Sequence, residues 1–195
     1  TTLLRTLAGF QSALSGEINL VIGEQSHRLD VLSRAHLSRL VSVVLTEKID
    51  VTHITVNEMV GMGRMPYTGF WGLQSEADRL VVSEALHDVG ISSLAQRDVS
   101  TLSDGERQKV MIAKAQAQQT PVVLLDEPTA FLDYPSKVNM MKLLAKMAHE
   151  QGKIVLLSTH DLDIALRHAD QLLTMDEGLK FMTKEALAAE LDRLK

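Results

Sequence analysis

Apolar residues recur along this chain in two periods, and the switching between them lays out the expected elements. Leu3, Leu4 and Leu7 fall at helical spacing and predict a helix over residues 1–8 ended by Gly9, while residues 17–22 alternate as a short strand. Leu32, Leu37 and Leu40 share one face of a helix over 32–40, and the valine-rich run over 41–45 suits a strand buried on both faces. The more polar block 50–118 interrupts this order. It predicts a helix over 55–63 capped by Thr55 with Glu58 three residues on, an aromatic loop over 66–72, and helices over 75–89 and from 102 to about 118. Strands over 122–125, 154–158 and 171–175 then alternate with helices over 136–149 and 162–168, the pattern of a parallel sheet with crossover helices. Asp176-Glu177-Gly178 reads as a hairpin turn, and residues 184–194 as a closing helix.

Composition narrows the class. A chain of 195 residues supports one sizeable core, burying about 70% of its unfolded surface. An apolar fraction of 45% and a charged fraction of 23% suit a globular protein, and a net charge of -5 gives no electrostatic case for nucleic-acid binding. With no cysteine, disulfides and thiolate metal sites are excluded, which fits a reducing compartment. No stretch approaches the roughly 20 apolar residues of a membrane span, and a signal-peptide layout is missing, so the expectation is a cytoplasmic chain. It opens at Thr1, inside what reads as the first turn of a helix.

Three segments carry chemistry. Asp126 and Glu127 follow an apolar strand, where strand ends and helix starts form a ligand crevice in open parallel sheets. There the first carboxylate can hold Mg²⁺ and the second can accept a proton from a water attacking a γ-phosphate. His160, after the next strand, comes to the same sheet edge if the two strands are parallel neighbours, and can hydrogen-bond that phosphate. Ser103 caps the helix opened by Leu102-Ser103-Asp104-Gly105-Glu106; its exposed N–H groups and dipole form an anion site, with Gly105 permitting close approach. Each segment also has a plainer reading: a polar strand exit, a surface histidine, an ordinary capping box.

Taken in order, Thr101–Gln108, 122–129 and Ser158-Thr159-His160-Asp161 resemble the signature, Walker B and switch-histidine motifs of ATP-binding cassette (ABC) ATPases. The resemblance implies a P-loop NTPase α/β core over 1–49 and 119–195 with an inserted helical subdomain over 50–118. It also implies ATP and Mg²⁺ as ligands, with Glu127 as general base, His160 sensing the γ-phosphate, and Asp126 with the Thr1 hydroxyl on the metal. Thr2 approaches the phosphates, Ser103, Gly105 and Glu106 face the partner subunit's nucleotide, and Asp133 belongs to the loop crossing a head-to-tail dimer. The implied partners are a second ATPase subunit and a membrane permease that holds the protein at the inner face of the cell membrane.

The chain departs from that pattern in places. The phosphate-cradling glycine-rich loop and its lysine would lie before Thr1, so a truncated chain that is inactive as it stands is expected. Thr46-Glu47-Lys48 replaces an expected glutamine, and Asp104 and Glu106 add negative charge beside a phosphate. Val60-Gly61-Met62-Gly63-Arg64-Met65-Pro66-Tyr67 resembles the Gly-Arg-x-Pro segment of ATPases that power import of iron-siderophore, haem and vitamin B12 complexes, and Tyr67, Phe70 and Trp71 suggest either a partner-binding patch or core packing. The expected function is therefore ATP hydrolysis driving an importer of a metal chelate. A non-transport ABC ATPase and a silent interaction module are the alternatives.

Overall fold

The structure is a computed structural model that describes residues 2–46, 51–69, 72–175 and 178–193. Helix α1 (Thr2–Leu7) ends at Gly9, whose φ of +71° is open to glycine at little cost. Strands β1 (Asn19–Ile22) and β2 (Gln25–Arg28) form an antiparallel hairpin. The second strand was not expected, because Gln25-Ser26-His27-Arg28 has no apolar alternation and its pairing alone makes it a strand. Helix α2 (Arg34–Leu40), capped by Ser33, runs straight into β3 (Val41–Val44).

Parallel strands in the order β3-β4-β5 carry the molecule, with β4 at Val122–Asp126 and β5 at Ile154–Ser158. All five residues of β4 are buried. Its side chains alternate between two cores: Val122 and Leu124 cluster with Leu4 of α1, Ala8 just after that helix and Leu37 of α2, whereas Val123 and Leu125 join the larger cluster beneath the other helices. A strand covered on both faces has to be apolar throughout, which explains the run Val-Val-Leu-Leu. At the edge of the sheet, β5 is half-buried, and Ile154 is 51% exposed.

Between β3 and β4 the chain builds three helices, α3 (Val56–Gly61), α4 (Glu76–Asp88) and α5 (Asp104–Ala117), each begun by a reciprocal capping box. In these boxes Thr55 pairs with Glu58, Ser75 with Asp78 and Ser103 with Glu106, so each N-terminus is fixed by local sequence. Val56, Met59, Val60, Val82, Leu86, Val110 and Ile112 pack the three helices together.

Gly63 and Arg64 decide how this layer meets the rest. A Cβ at Gly63 would lie 2.3 Å from the Lys114 carbonyl of α5, a fixed backbone atom. Gly63→Ala is therefore expected to cost about 1–3 kcal/mol by overpacking, seen as a lower thermal midpoint with the far-UV spectrum retained. Arg64 is 7% exposed; its Nε pairs with Asp78 at 2.9 Å, and its Nη1 donates to the Ala117 carbonyl and Gln119 Oε1. The Tyr67 ring stacks 4.1 Å from this guanidinium and its hydroxyl donates to the Gln118 carbonyl.

Helix α6 (Tyr134–His149) starts earlier than the expected 136 because Asp133 caps it and Pro135 suits its first turn. Helix α7 (Leu162–His168) leads to β6 (Leu172–Met175). This last strand corrects the sequence expectation: β6 pairs antiparallel with β7 (Leu179–Met182) in a separate two-stranded sheet rather than extending the parallel series. Periodicity locates a strand but does not name its neighbour. The turn expected at 176–178 falls partly outside the described residues. Helix α8 (Lys184–Arg193) closes the fold, with Leu187 packed on Ala165 and Leu172. Among the described residues no helix is long and apolar enough to cross a membrane.

Candidate functional site

Parallel register brings the expected carboxylates and histidine together. Asp126 is the last residue of β4 and lies opposite Ser158, the last of β5, so the segments that follow leave the same sheet end side by side. Asp126 is 6% exposed and its Oδ1 accepts a hydrogen bond from Ser158 Oγ at 2.7 Å. Ser158 also accepts from the Glu127 amide, through its carbonyl at 3.2 Å and its hydroxyl at 3.1 Å. Those bonds hold Glu127 at φ +49°, a left-handed conformation uncommon for a residue with a Cβ. Strain of this kind needs over-determination by the surroundings, and the Ser158 contacts together with the Ala130 amide on the Glu127 carbonyl provide it.

The His160 imidazole Nε2 lies 3.3 Å from Glu127 Oε1, and the His160 amide donates to Oε2 at 3.4 Å. The histidine side chain is 97% exposed and the glutamate side chain 23%. A carboxylate and an imidazole thus meet at the mouth of the sheet, one sheltered and one reaching into solvent. Thr46, where a glutamine was expected, donates from Oγ1 to the Asp126 carbonyl at 2.7 Å. Its hydroxyl is committed to the backbone behind the carboxylates rather than reaching past them.

Helix α5 begins beside this sheet end. Thr46, Asp104, Arg107, Gln108, Glu127 and Phe131 line a shallow cavity between its first turn and the loop after β4. The extra charge at Glu106 is absorbed locally. Its Oε2 accepts from the Ser103 amide at 2.9 Å and from the Ser103 hydroxyl at 2.8 Å, and its Oε1 lies 3.5 Å from Arg97. The backbone N–H of Ser103, ahead of its hydroxyl, holds this carboxylate below the ordinary range. Glu106 is turned back onto the cap and does not extend from the helix end. A Cβ at Gly105 would meet only Leu132 Cδ2, at 3.5 Å, so the packing of this chain does not itself demand glycine there.

Asp133 caps α6, accepting from the Ser136 amide at 3.1 Å, and is flanked by exposed Phe131 (75%) and Tyr134 (58%). Thr2 opens α1, its carbonyl accepting from Thr6 and Gln11. Thr1, Glu47, Lys48, Phe70 and Trp71 lie outside the described residues. The sequence reading missed Thr129, Lys137 and Asp161, which form a bonded group beside the carboxylates. Asp161 stood in the quoted run after β5, but nothing in the spacing marked Lys137.

Mg²⁺ was implied, and the donor chemistry fits it. Among the described residues no three acidic or histidine side chains gather as a metal cage. What is present is one buried carboxylate at a strand end, and Mg²⁺ characteristically takes one or two carboxylates together with substrate phosphates and water.

A parallel sheet ending in a carboxylate pair and a histidine, with a capped helix start alongside, forms the kind of crevice in which α/β domains bind ligands. The chain belongs to the ABC transporter family, whose model matches residues 1–130. It is 38% identical over 178 residues to the cobalamin import ATP-binding protein BtuD of Halobacterium salinarum strain R1, covering 91% of this chain and 43% of that protein. It is 36% identical over 181 residues to the achromobactin transport ATP-binding protein CbrD of Dickeya dadantii strain 3937, covering 93% of this chain and 66% of the relative. The chain thus spans between 43% and 66% of these curated relatives' lengths. Among solved structures it superposes on the dimeric ATP-binding cassette MJ0796 in a post-hydrolysis state bound to ADP and Pi, with a TM-score of 0.73 and 26% identity, over 91% of this chain and 76% of that one. The ABC ATPase fold expected from the sequence is therefore the fold observed.

Proposed function

We propose that this chain is the core of an ATP-hydrolysing subunit that drives import of a metal chelate such as an iron-siderophore complex. The observation carrying the proposal is the pairing of Glu127 with His160 at 3.3 Å, beside buried Asp126, at one end of a parallel sheet. The names of the relatives, one in achromobactin transport and one in cobalamin import, support the chelate class, as does the Gly63-Arg64 segment.

In this reading Asp126, with the Thr1 hydroxyl, holds Mg²⁺, which when bound neutralises developing phosphate charge. Glu127 takes the proton of the attacking water, and its sheltered position beside the histidine suits a base that must stay oriented. His160 donates toward the γ-phosphate from its solvent-facing position. Thr2 contributes to phosphate binding at the start of α1. Ser103 and Gly105 present the α5 N-terminus to nucleotide held by a second subunit, with Glu106 stabilising the cap. Asp133, between two exposed aromatics, belongs to the surface that the two subunits share in a head-to-tail dimer. A permease holds the assembly at the cytoplasmic face of the membrane.

The test is reconstitution of the protein, carrying a glycine-rich loop ahead of Thr1, with its membrane subunit in vesicles. ATP-dependent uptake of a ferric chelate is the expected result. ATP hydrolysis without uptake of any ferric chelate or corrinoid would reject the transport class and keep the ATPase.

A further inference from the structure

Asp161 occupies the N-cap position of α7, where an aspartate ordinarily accepts from the first backbone N–H groups of the helix, yet its side chain makes no such bond. Its two oxygens turn across to another segment. Lys137 Nζ donates to Oδ1 at 2.8 Å and to Oδ2 at 2.9 Å, and Thr129 Oγ1 donates to Oδ2 at 2.8 Å. Lys137 lies in the second turn of α6, and Thr129 in the loop between Glu127 and that helix. The lysine and aspartate side chains are 23% and 30% exposed, and Lys137 is the leading cause that holds the Asp161 carboxyl below its ordinary range.

This group sits one residue beyond His160. The segment after β4 and the chain leaving β5 are tied on either side of His160, by Ser158 on the Glu127 amide and by Asp161 on Thr129 and Lys137. His160 lies between the two attachments, and its backbone amide and ring both face Glu127. A solvent-exposed ring has no packing to fix its orientation, so its distance from Glu127 is set by where the backbone on either side is anchored. Ser158 anchors one side. The Lys137 ion pair anchors the other.

We propose that Lys137 and Asp161 are positioning residues that hold the His160 backbone against Glu127, and that Lys137 acts on turnover without touching nucleotide. The inference rests on the function proposed above. A two-oxygen contact to a part-buried lysine, reinforced by a hydroxyl, is more directional than an exposed surface pair. A reacting group displaced by about 1 Å can lose on the order of a hundredfold in rate.

The test compares Lys137→Met and Lys137→Arg with the wild type in the full-length protein. Steady-state ATPase kinetics are measured alongside amide hydrogen exchange at residues 159–161. In Lys137→Met, kcat is expected to fall at least about tenfold with KM for ATP within about twofold, and exchange at His160 and Asp161 to quicken. Arginine, which can span both carboxylate oxygens, is expected to retain most of kcat and the slow exchange. Unchanged kcat in Lys137→Met overturns the positioning role, as does an equal loss in both variants or a loss appearing in KM. A wild type without ATPase activity would sink the proposed function instead. The exchange measurement then still judges the clamp, and unchanged rates in Lys137→Met overturn it.

Discussion

Glu127→Gln is expected to lower ATP turnover by about a hundredfold or more, while nucleotide binding and thermal stability stay close to wild type. The amide keeps the length and shape of the side chain and the same φ demand at position 127, so the loop held by Ser158 loses no contact in the backbone. What is lost is the ability to accept a proton from water. Neutralising the position also removes the charge that faces His160 at 3.3 Å, so the variant is expected to hold ATP and to accumulate as the ATP-bound dimer. Single-turnover hydrolysis, equilibrium ATP binding and size-exclusion chromatography on one preparation, with a glycine-rich loop ahead of Thr1, check all three. Sustained hydrolysis by purified Glu127→Gln would remove Glu127 from the role of base.

The second large effect is on stability. Arg64→Met is expected to destabilise the protein by about 3–5 kcal/mol, because it leaves Asp78 buried without its counter-charge. At this chain length each kcal/mol moves the thermal midpoint by about 2–4 °C, so a fall on the order of 10 °C should be measured. The loss reaches further than one ion pair. Arg64 joins the first turn of α4, through Asp78, to the last carbonyl of α5 and to Gln119, and it supports the Tyr67 ring. Arg64→Lys is expected to recover little, since one ammonium cannot reproduce a fork that addresses three acceptors.

The same pair gives a pH dependence with a defined sign. Asp78 is lowered from an ordinary 3.8 to about 2, first by the Ser75 hydroxyl and then by Arg64 and the Ser75 amide. A carboxylate depressed in the folded state contributes stability that is fully present above its unfolded value and is lost as pH falls from about 3.8 toward about 2. Wild type should therefore lose stability steeply across that window, and Arg64→Met more shallowly, in chemical denaturation at stepped pH.

Much of this protein is written in its local sequence. Thr55 with Glu58, and Ser103 with Glu106, mark helix starts that form as capping boxes, because a cap needs only partners three residues apart. The apolar run before Asp126 specifies a strand covered on both faces, and the family resemblance rested on short motifs of that kind. Local pattern was also enough to single out Asp126, Glu127 and His160, which the structure brings to one end of the sheet.

What it left open depends on contacts between distant segments. The strand Gln25–Arg28 exists through pairing with β1, and β6 left the parallel series because its hydrogen bonds go to β7. Where the Glu106 carboxylate goes was likewise decided by folding, which places it on Ser103 and near Arg97. Arg64 stood out in sequence only through the family resemblance of its segment, and the packing of α4 and α5 buries it as the tie between them. Lys137 gave no sign in sequence of meeting Asp161, since only the parallel register of β4 and β5 brings the two loops side by side. Sequence fixes elements whose partners lie within a turn or a strand's alternation, whereas strand neighbours and buried ion pairs are chosen by long-range packing and the desolvation that accompanies it.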